Sequence, residues 1–367
     1  MLQSKTLRRA SPTIGFEKTT YYDTPQHLLK KHGLSLRIRQ KAGRCEQTLK
    51  TDLGSEGGAL SRLELSRKLD GNALDLTMFD DVPALAVINR QARARLAPVF
   101  HTQVRRTKID LSRDGTGFEL VYDLGQIVCA KTGRKLAEIS ELETEIKSGP
   151  PRGMFAFLAK LNEKYELQQF ATSKADRGYA QLRRAHALKP QKHGADVPPA
   201  HTDAYAVLHA AMSDALAQYF ANNLNLIAEK PEAIHQTRVA VRRMRAILRA
   251  FKHQIDYMDR KALNGELRWL QTKLGECRDW HVLRFDTAPK MRKRAPKAAR
   301  ELDRLAKAVH ARKLPKALAI YNSRRAQRLI LRIQLWLSGL PKSGGPDIAL
   351  LRRHAMLGNL KRLRALG

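Results

Sequence analysis

At 367 residues the chain has room for two domains, and its 43% apolar content is enough to bury real cores. Its 68 Lys and Arg against 35 Asp and Glu leave a formal net charge of +33, which repels itself in the compact state and calls for a polyanion: nucleic acid, an anionic membrane or polyphosphate. The 3 cysteines (Cys45, Cys129, Cys277) exclude a disulfide framework, and neither a secretory leader nor a membrane-spanning apolar run is visible, so the expected location is the cytoplasm.

Residues 14 to about 182 read as strands. The run Leu34-Ser35-Leu36-Arg37-Ile38-Arg39 alternates apolar and polar, and so do Glu46–Lys50, Arg62–Ser66, Val104–Leu111, Phe118–Asp123 and Ile139–Ile146. Turn signals at Asp52–Gly54, Gly57-Gly58, Asp114-Gly115 and Lys131–Gly133 separate them. Helical patterns intervene at Pro25–His32, around Val82–Arg95 and at Met154–Glu166. Residues two apart on a strand point the same way, so Arg37 and Arg39 share one face, as do Glu141, Glu143 and Glu145. Lys50 and Arg106 add cations, and Glu64 and Asp123 add carboxylates, on other strands. Two readings are open. Such residues can be the solvent face of a half-exposed sheet. Their sorting by sign also suits a closed barrel with a polar lumen, where arginines fork onto phosphoryl oxygens and carboxylates hold a hard divalent cation.

The ordered set Tyr21-Tyr22-Asp23-Thr24-Pro25, Leu36–Arg39, Gln47–Thr51, Arg62-Leu63-Glu64, Arg105-Arg106-Thr107, Glu141–Glu145 and Ser173–Tyr179 resembles the CYTH family of triphosphate tunnel metalloenzymes, over roughly residues 16–183. The resemblance implies an eight-stranded antiparallel tunnel. It implies triphosphate contacts at Arg37, Arg39, Lys50, Arg106 and Lys174, and a metal side lined by Glu64, Asp123, Glu141 and Glu143 for Mg²⁺ or Mn²⁺. The family's reaction is metal-assisted hydrolysis of a terminal phosphoryl group. The family also opens on a Glu-x-Glu-x-Lys strand that this sequence lacks, Glu17 being an isolated acid. A late start of the chain or a lost activity would explain the difference, and an incomplete barrel with an unpaired edge is expected. Phosphate binding is expected to outlast catalysis, because most of the cations remain.

Three prolines (Pro190, Pro198, Pro199) and no periodicity make residues 185–200 a linker between domains at 1–184 and 201–367. The second part is the more basic, with 34 cations and 13 acids against 34 and 22 in residues 1–200. It reads as helical throughout, with breaks at Pro296, Pro315 and the Gly339–Pro346 segment. In His235–Lys252, Val241, Met244, Leu248, Phe251 and Ile255 form a core stripe. Arg238, Arg242, Arg245, Arg249 and Lys252 run beside it with the same spacing, and His235 precedes them by a turn. A solvated face would mix signs to avoid repulsion at this spacing, so a groove for an anion is expected. Beside those arginines His235 should lose proton affinity until an anion binds.

His235-Gln236-Thr237-Arg238-Val239 with Arg242–Arg245, Glu266–Leu270 and Gly275–Asp279 resembles the CHAD domain, a helical bundle of two similar halves that binds inorganic polyphosphate in a basic groove. The resemblance places His235, Arg238, Arg242, Arg245 and Arg249 in that groove, with Arg268 and Arg278 beside it. A second His-x-x-Arg helix is not found, so half of the bundle and a homodimer covering it are expected.

The expected fold class is therefore α+β: an incomplete antiparallel β tunnel or barrel, then an all-α helical bundle. The expected function is a CYTH–CHAD polyphosphate- or triphosphate-binding protein, ancestrally a metal-dependent inorganic triphosphatase. A non-catalytic nucleic-acid binder and an adenylate cyclase-like CYTH enzyme are the alternatives. Only 6% aromatic residues and no RNA-binding signature argue against the former.

Overall fold

The computed structural model describes residues 11–56, 59–79, 82–83, 85, 90–182, 203–227 and 231–349. The chain divides into two compact units, one of residues 1–54, 60–154 and 172–188, the other of 55–59, 155–171 and 189–367. The expected linker at 185–200 and the chain's last residues lie outside the described residues. Residues 155–171 group with the second unit, although they precede that linker in sequence.

The first unit is one antiparallel sheet of β1 (Thr13–Asp23), β2 (Leu34–Lys41), β3 (Arg44–Glu56), β4 (Ala59–Leu69), β5 (Ala97–Arg113), β6 (Thr116–Cys129) and β7 (Lys135–Ser148). Its order is β4-β3-β2-β1-β5-β6-β7. Strand β1 is central because successive hairpins spread from it on both sides, β2 to β4 on one and β5 to β7 on the other. Among the described residues the sheet ends at β4 and β7 and is not closed, as expected of an incomplete barrel, with seven strands in place of the eight of the full tunnel. Every predicted strand segment falls within one of these strands. The hairpin at Asp114-Gly115 needs positive φ at both positions (48° and 75°), which an Asp-Gly pair supplies.

Helices α1 (Leu28–Lys31) and α2 (Arg90–Arg93) are single turns where longer patterns were expected. α3 spans Arg152–Lys164 and α4 spans Lys174–Leu182. Beneath α4, Ala175 and Tyr179 pack with Tyr21, Phe100, Ile127 and Ile139 of the sheet. Tyr21 stacks on Phe100 at 4.6 Å between ring centroids, and Tyr179 meets Phe100 edge-on at 5.2 Å. On β2 the alternation works as read. Leu34, Leu36 and Ile38 are buried, while Arg37 and Arg39 turn to the other face.

The second unit holds α5 (Ala204–Ala221), α6 (Asn223–Ile227), α7 (Pro231–Ala250), α8 (Tyr257–Val282), α9 (Ala288–Met291), α10 (Pro296–Asn322) and α11 (Arg324–Ser338). A π-turn at Leu283–Thr287 joins α8 to α9. Asp203, Asp256 and Ser323 cap α5, α8 and α11 with side-chain oxygens that accept backbone N–H bonds. Pro296 starts α10, as expected of a break, but Pro315 lies inside that helix, which corrects the expected break there. Because proline removes only one backbone donor, flanking turns packed through Leu314 and Ala317 carry the helix past it. Val241, Met244, Leu248, Phe251 and Ile255 are all buried in one core with α5, α8, α10 and α11. The core stripe is as read, with Phe251 and Ile255 beyond the end of α7. Among the described residues no helix is long and apolar enough to cross a membrane.

Candidate functional site

Strand register places the expected site residues of β2, β3, β5, β6 and β7 on a single face. Glu17 pairs with Lys41 and Thr19 with Arg39 across β1 and β2. Ser35 pairs with Lys50 across β2 and β3. Arg106 pairs with Asp123 across β5 and β6, and Asp123 with Glu141 across β6 and β7. Counting in twos along each strand puts Glu17, Arg37, Arg39, Lys50, Arg106, Asp123, Glu141 and Glu143 on the same side. This is also the side that α4 covers at its apolar end, so Lys174, the first residue of α4, reaches down onto the charged centre.

At the β6–β7 end three carboxylates converge. Asp123, Glu141 and Glu143 each offer an oxygen within 4.8 Å of the others. Arg106 forks onto fully buried Asp123 through Nε (2.8 Å) and Nη2 (2.6 Å) and reaches Glu143 at 3.4 Å. The Lys174 ammonium lies among all three, 2.8 Å from Asp123 and from Glu143 and in contact with Glu141. Arg177 pairs with Glu141. Burial alone would raise the Asp123 carboxyl, but the bonds from Arg106 and the charge of Lys174 outweigh it and hold the group below its usual range. Three hard oxygens at this spacing fit a divalent cation.

At the β2–β4 end the balance is reversed. Lys50 contacts Glu64, which also lies 3.9 Å from Arg37. Burial and the neighbouring Arg37 push Lys50 down to about 8 despite that partner. The Nε atoms of Arg37 and Arg39 are buried with no hydrogen-bond partner among the described residues. Buried donors without a hydrogen bond are costly, and the Arg39 Nε has only the Glu17 carboxylate at 3.7 Å to compensate it. Glu64, one of the expected metal-side residues, stands here on β4 with Lys50 and is not brought to the Asp123 trio.

Two residues were missed. Glu17, read as isolated, is 5% exposed at the middle of the face, 3.0 Å from Lys41, 3.4 Å from Arg106 and 3.7 Å from Arg39. The alternation Glu17, Thr19, Tyr21 leading into the recognised Tyr-Tyr-Asp run was the signal for it. Arg177 follows Lys174 by three residues, the helical spacing that puts both over β7. Asp23, within the recognised run, serves the scaffold. Its buried carboxylate accepts from Thr24, Leu29 and Lys30 backbone N–H groups and from the Tyr179 hydroxyl.

In the helical unit the expected groove residues fall along the seam of α7 and α8. His235, Arg238, Arg242 and Arg278 feel one another's charge, as do Arg245, Arg249 and Arg268. Gly275 on α8 lets the Arg238 guanidinium lie so close that a Cβ there would sit 3.2 Å from it. Among the described residues acids are few along the seam: Glu232 lies 3.6 Å from Arg278 and 4.0 Å from His235, and Asp279 lies 4.0 Å from Arg238. Arg245 donates to neutral Asn264 (3.0 Å) and Gln271 (2.8 Å). Arg242, Arg249 and Arg268 are exposed. The Arg238 Nε is buried with no hydrogen-bond partner among the described residues. Burial, then Arg278, push His235 below its ordinary value, as the sequence suggested. His281, which takes a contact from Arg278 at Nδ1, is driven down to about 4 by burial, Arg278 and His310.

Comparison with known proteins places both regions. The CYTH domain matches residues 2–179 and the CHAD domain residues 210–367. Over 171 residues the chain is 32% identical to an inorganic triphosphatase of Haemophilus influenzae, covering 45% of each protein. The match thus spans less than half the length of that curated relative. The solved CHAD domain of the plant Ricinus communis covers 46% of this chain and 57% of its own, at 27% identity and a TM-score of 0.40. A Hippeastrum structure, described as revealing a dominant triphosphatase activity, covers 53% of this chain and 92% of its own, at 16% identity and a TM-score of 0.35.

Proposed function

This chain joins a CYTH domain to a CHAD domain, and on that premise we propose that it binds condensed phosphates at two places, a triphosphate on the sheet face and polyphosphate along the α7–α8 seam. The observation that carries the reading is that the buried Nε donors of Arg37 and Arg39 make no hydrogen bond among the described residues, Arg39 Nε having only Glu17 at 3.7 Å, in a face where Lys50 and Arg106 add charge. Phosphoryl oxygens supply what such donors lack: several acceptors on one multiply charged chain. The Arg238 Nε, buried with no hydrogen-bond partner among the described residues, supports the polyphosphate half in the same way.

The same face supports a second reading, a metal-dependent triphosphatase. The trio Asp123, Glu141 and Glu143 favours it, because these residues would hold Mg²⁺ or Mn²⁺. Bound there, a divalent cation supplies charge neutralisation on the phosphoryl oxygens. The chain's own part is to orient the anion with Arg37, Arg39 and Lys50. All three carboxylates are engaged by Lys174, Arg106 or Arg177, which leaves them poorly placed to activate a water. Binding without turnover is therefore the expected state.

Phosphate release from tripolyphosphate with Mg²⁺ or Mn²⁺, run beside binding of labelled long-chain polyphosphate, separates the two. Binding with no release upholds the first reading. Release that Glu141→Gln abolishes establishes the second. Competition between polyphosphate and RNA at fixed salt guards against a general polyanion sink, since counterion release alone favours neither. RNA displacing polyphosphate at equal phosphate concentration would overturn the first reading.

A further inference from the structure

The Lys174 ammonium occupies the position the carboxylate trio would give to a cation. It lies 2.8 Å from Asp123 Oδ2 and 2.8 Å from Glu143 Oε1 and also contacts Glu141, so its three N–H donors are shared among three acids. Those are the same acids whose oxygens converge within 4.8 Å. A divalent ion needs oxygens at about 2.0–2.6 Å and would compete for the lone pairs that Lys174 now uses. Two cations on one trio would also lie only a few ångströms apart in a partly buried site, where like charges repel.

We propose that Lys174 is a built-in counterion that excludes a divalent cation from the trio until it is displaced, so that metal and phosphate load together. The inference rests on the condensed-phosphate reading and deepens it. Lys174 begins α4, and its four-carbon stem can swing without moving the helix. Arg106 stays forked on Asp123 and Arg177 stays on Glu141, so the trio keeps its shape when the ammonium leaves. The released ammonium then faces the side of the sheet that carries Arg37 and Arg39, where it adds a charge to the phosphate site. Metal at the trio thereby raises the charge available to the anion, and the anion, by holding Lys174 away, keeps the trio open. Coupling of this kind is reciprocal by thermodynamic necessity.

The test is Mn²⁺ titration of the full chain without any phosphate, followed by the electron paramagnetic resonance of free Mn²⁺. Lys174→Met removes the competitor, and Lys174→Arg keeps its charge. The expected result is Mn²⁺ affinity about tenfold or more higher in Lys174→Met, well within the usual range for coupled ligands, with Lys174→Arg close to the unsubstituted chain. Equal affinity in all three overturns the proposal while leaving the Arg37 and Arg39 site untouched. No Mn²⁺ binding in any of them overturns it together with the metal reading, and tripolyphosphate binding in the presence of a chelator then tests the anion site separately. Circular dichroism checks the fold of each variant. Should Lys174→Met fail to fold, a crystal of the unsubstituted chain soaked with Mn²⁺ and tripolyphosphate together decides. Anomalous density at the trio with the ammonium swung out supports the proposal. Density beside a seated ammonium, or none at all, overturns it.

Discussion

Glu17 is the residue whose role the chain order conceals. It has no acidic neighbour in sequence, yet folding sets it between Arg39, Lys41 and Arg106 at the centre of the sheet face. Removing its charge leaves two half-buried guanidiniums with less compensation. Glu17→Gln is expected to destabilise the chain by about 1–3 kcal/mol. Saturating tripolyphosphate should restore most of the lost melting temperature, because the anion takes over the pairing. Thermal unfolding with and without the ligand checks this, and a loss that tripolyphosphate does not relieve would assign Glu17 to the scaffold alone. Lys50 gives the site its pH dependence. Its pKa of about 8 lies below the ordinary lysine value, since burial and Arg37 disfavour the charged form. A bound anion favours that form, so above about pH 8 the free protein must take up a proton to bind. Affinity for tripolyphosphate should fall by up to about tenfold per pH unit there. Calorimetry from pH 7 to 9.5 should show the fall in the unsubstituted chain and not in Lys50→Arg.

At the scale of elements, β2 and α7 show what periodicity can and cannot reveal. Both carry a buried stripe with cations beside it, and the structure buries the stripes as read: Leu36 and Ile38 on β2, Val241, Met244 and Leu248 on α7. Period alone was enough, because an apolar face must be covered by something. Partnering across strands was not legible. Nothing in the order of residues says that Glu64 falls to Lys50 while Asp123, Glu141 and Glu143 meet around Lys174, since that is set by which hairpins lie on which side of β1. Pro315 shows the reverse case, in which a local rule predicted a break that tertiary packing overrode. The exposed arginines of α7 make its function separable from its packing. Arg242→Ala with Arg249→Ala should leave thermal stability nearly unchanged. The slope of log affinity for long-chain polyphosphate against log salt should fall by about one per arginine removed. An unchanged slope would move polyphosphate off the α7–α8 seam.

For the whole molecule, the charge of +33 includes two differently built basic surfaces. On the sheet face cations and carboxylates interlock, with Arg106, Lys174 and Arg177 all engaged by acids. Along the seam the arginines meet amides and a few distant acids. The first arrangement suits a short, highly charged ligand held in register, and the second suits a long chain gripped along its length. The most direct test of the central claim is calorimetric titration of tripolyphosphate into the full chain, into Arg37→Ala with Arg39→Ala, and into Arg242→Ala with Arg249→Ala. The account predicts saturable binding that weakens by about tenfold or more in the sheet variant and is retained in the helix variant, as expected when charge-assisted hydrogen bonds are lost from one site alone. Binding that survives in the sheet variant and disappears in the helix variant would contradict it.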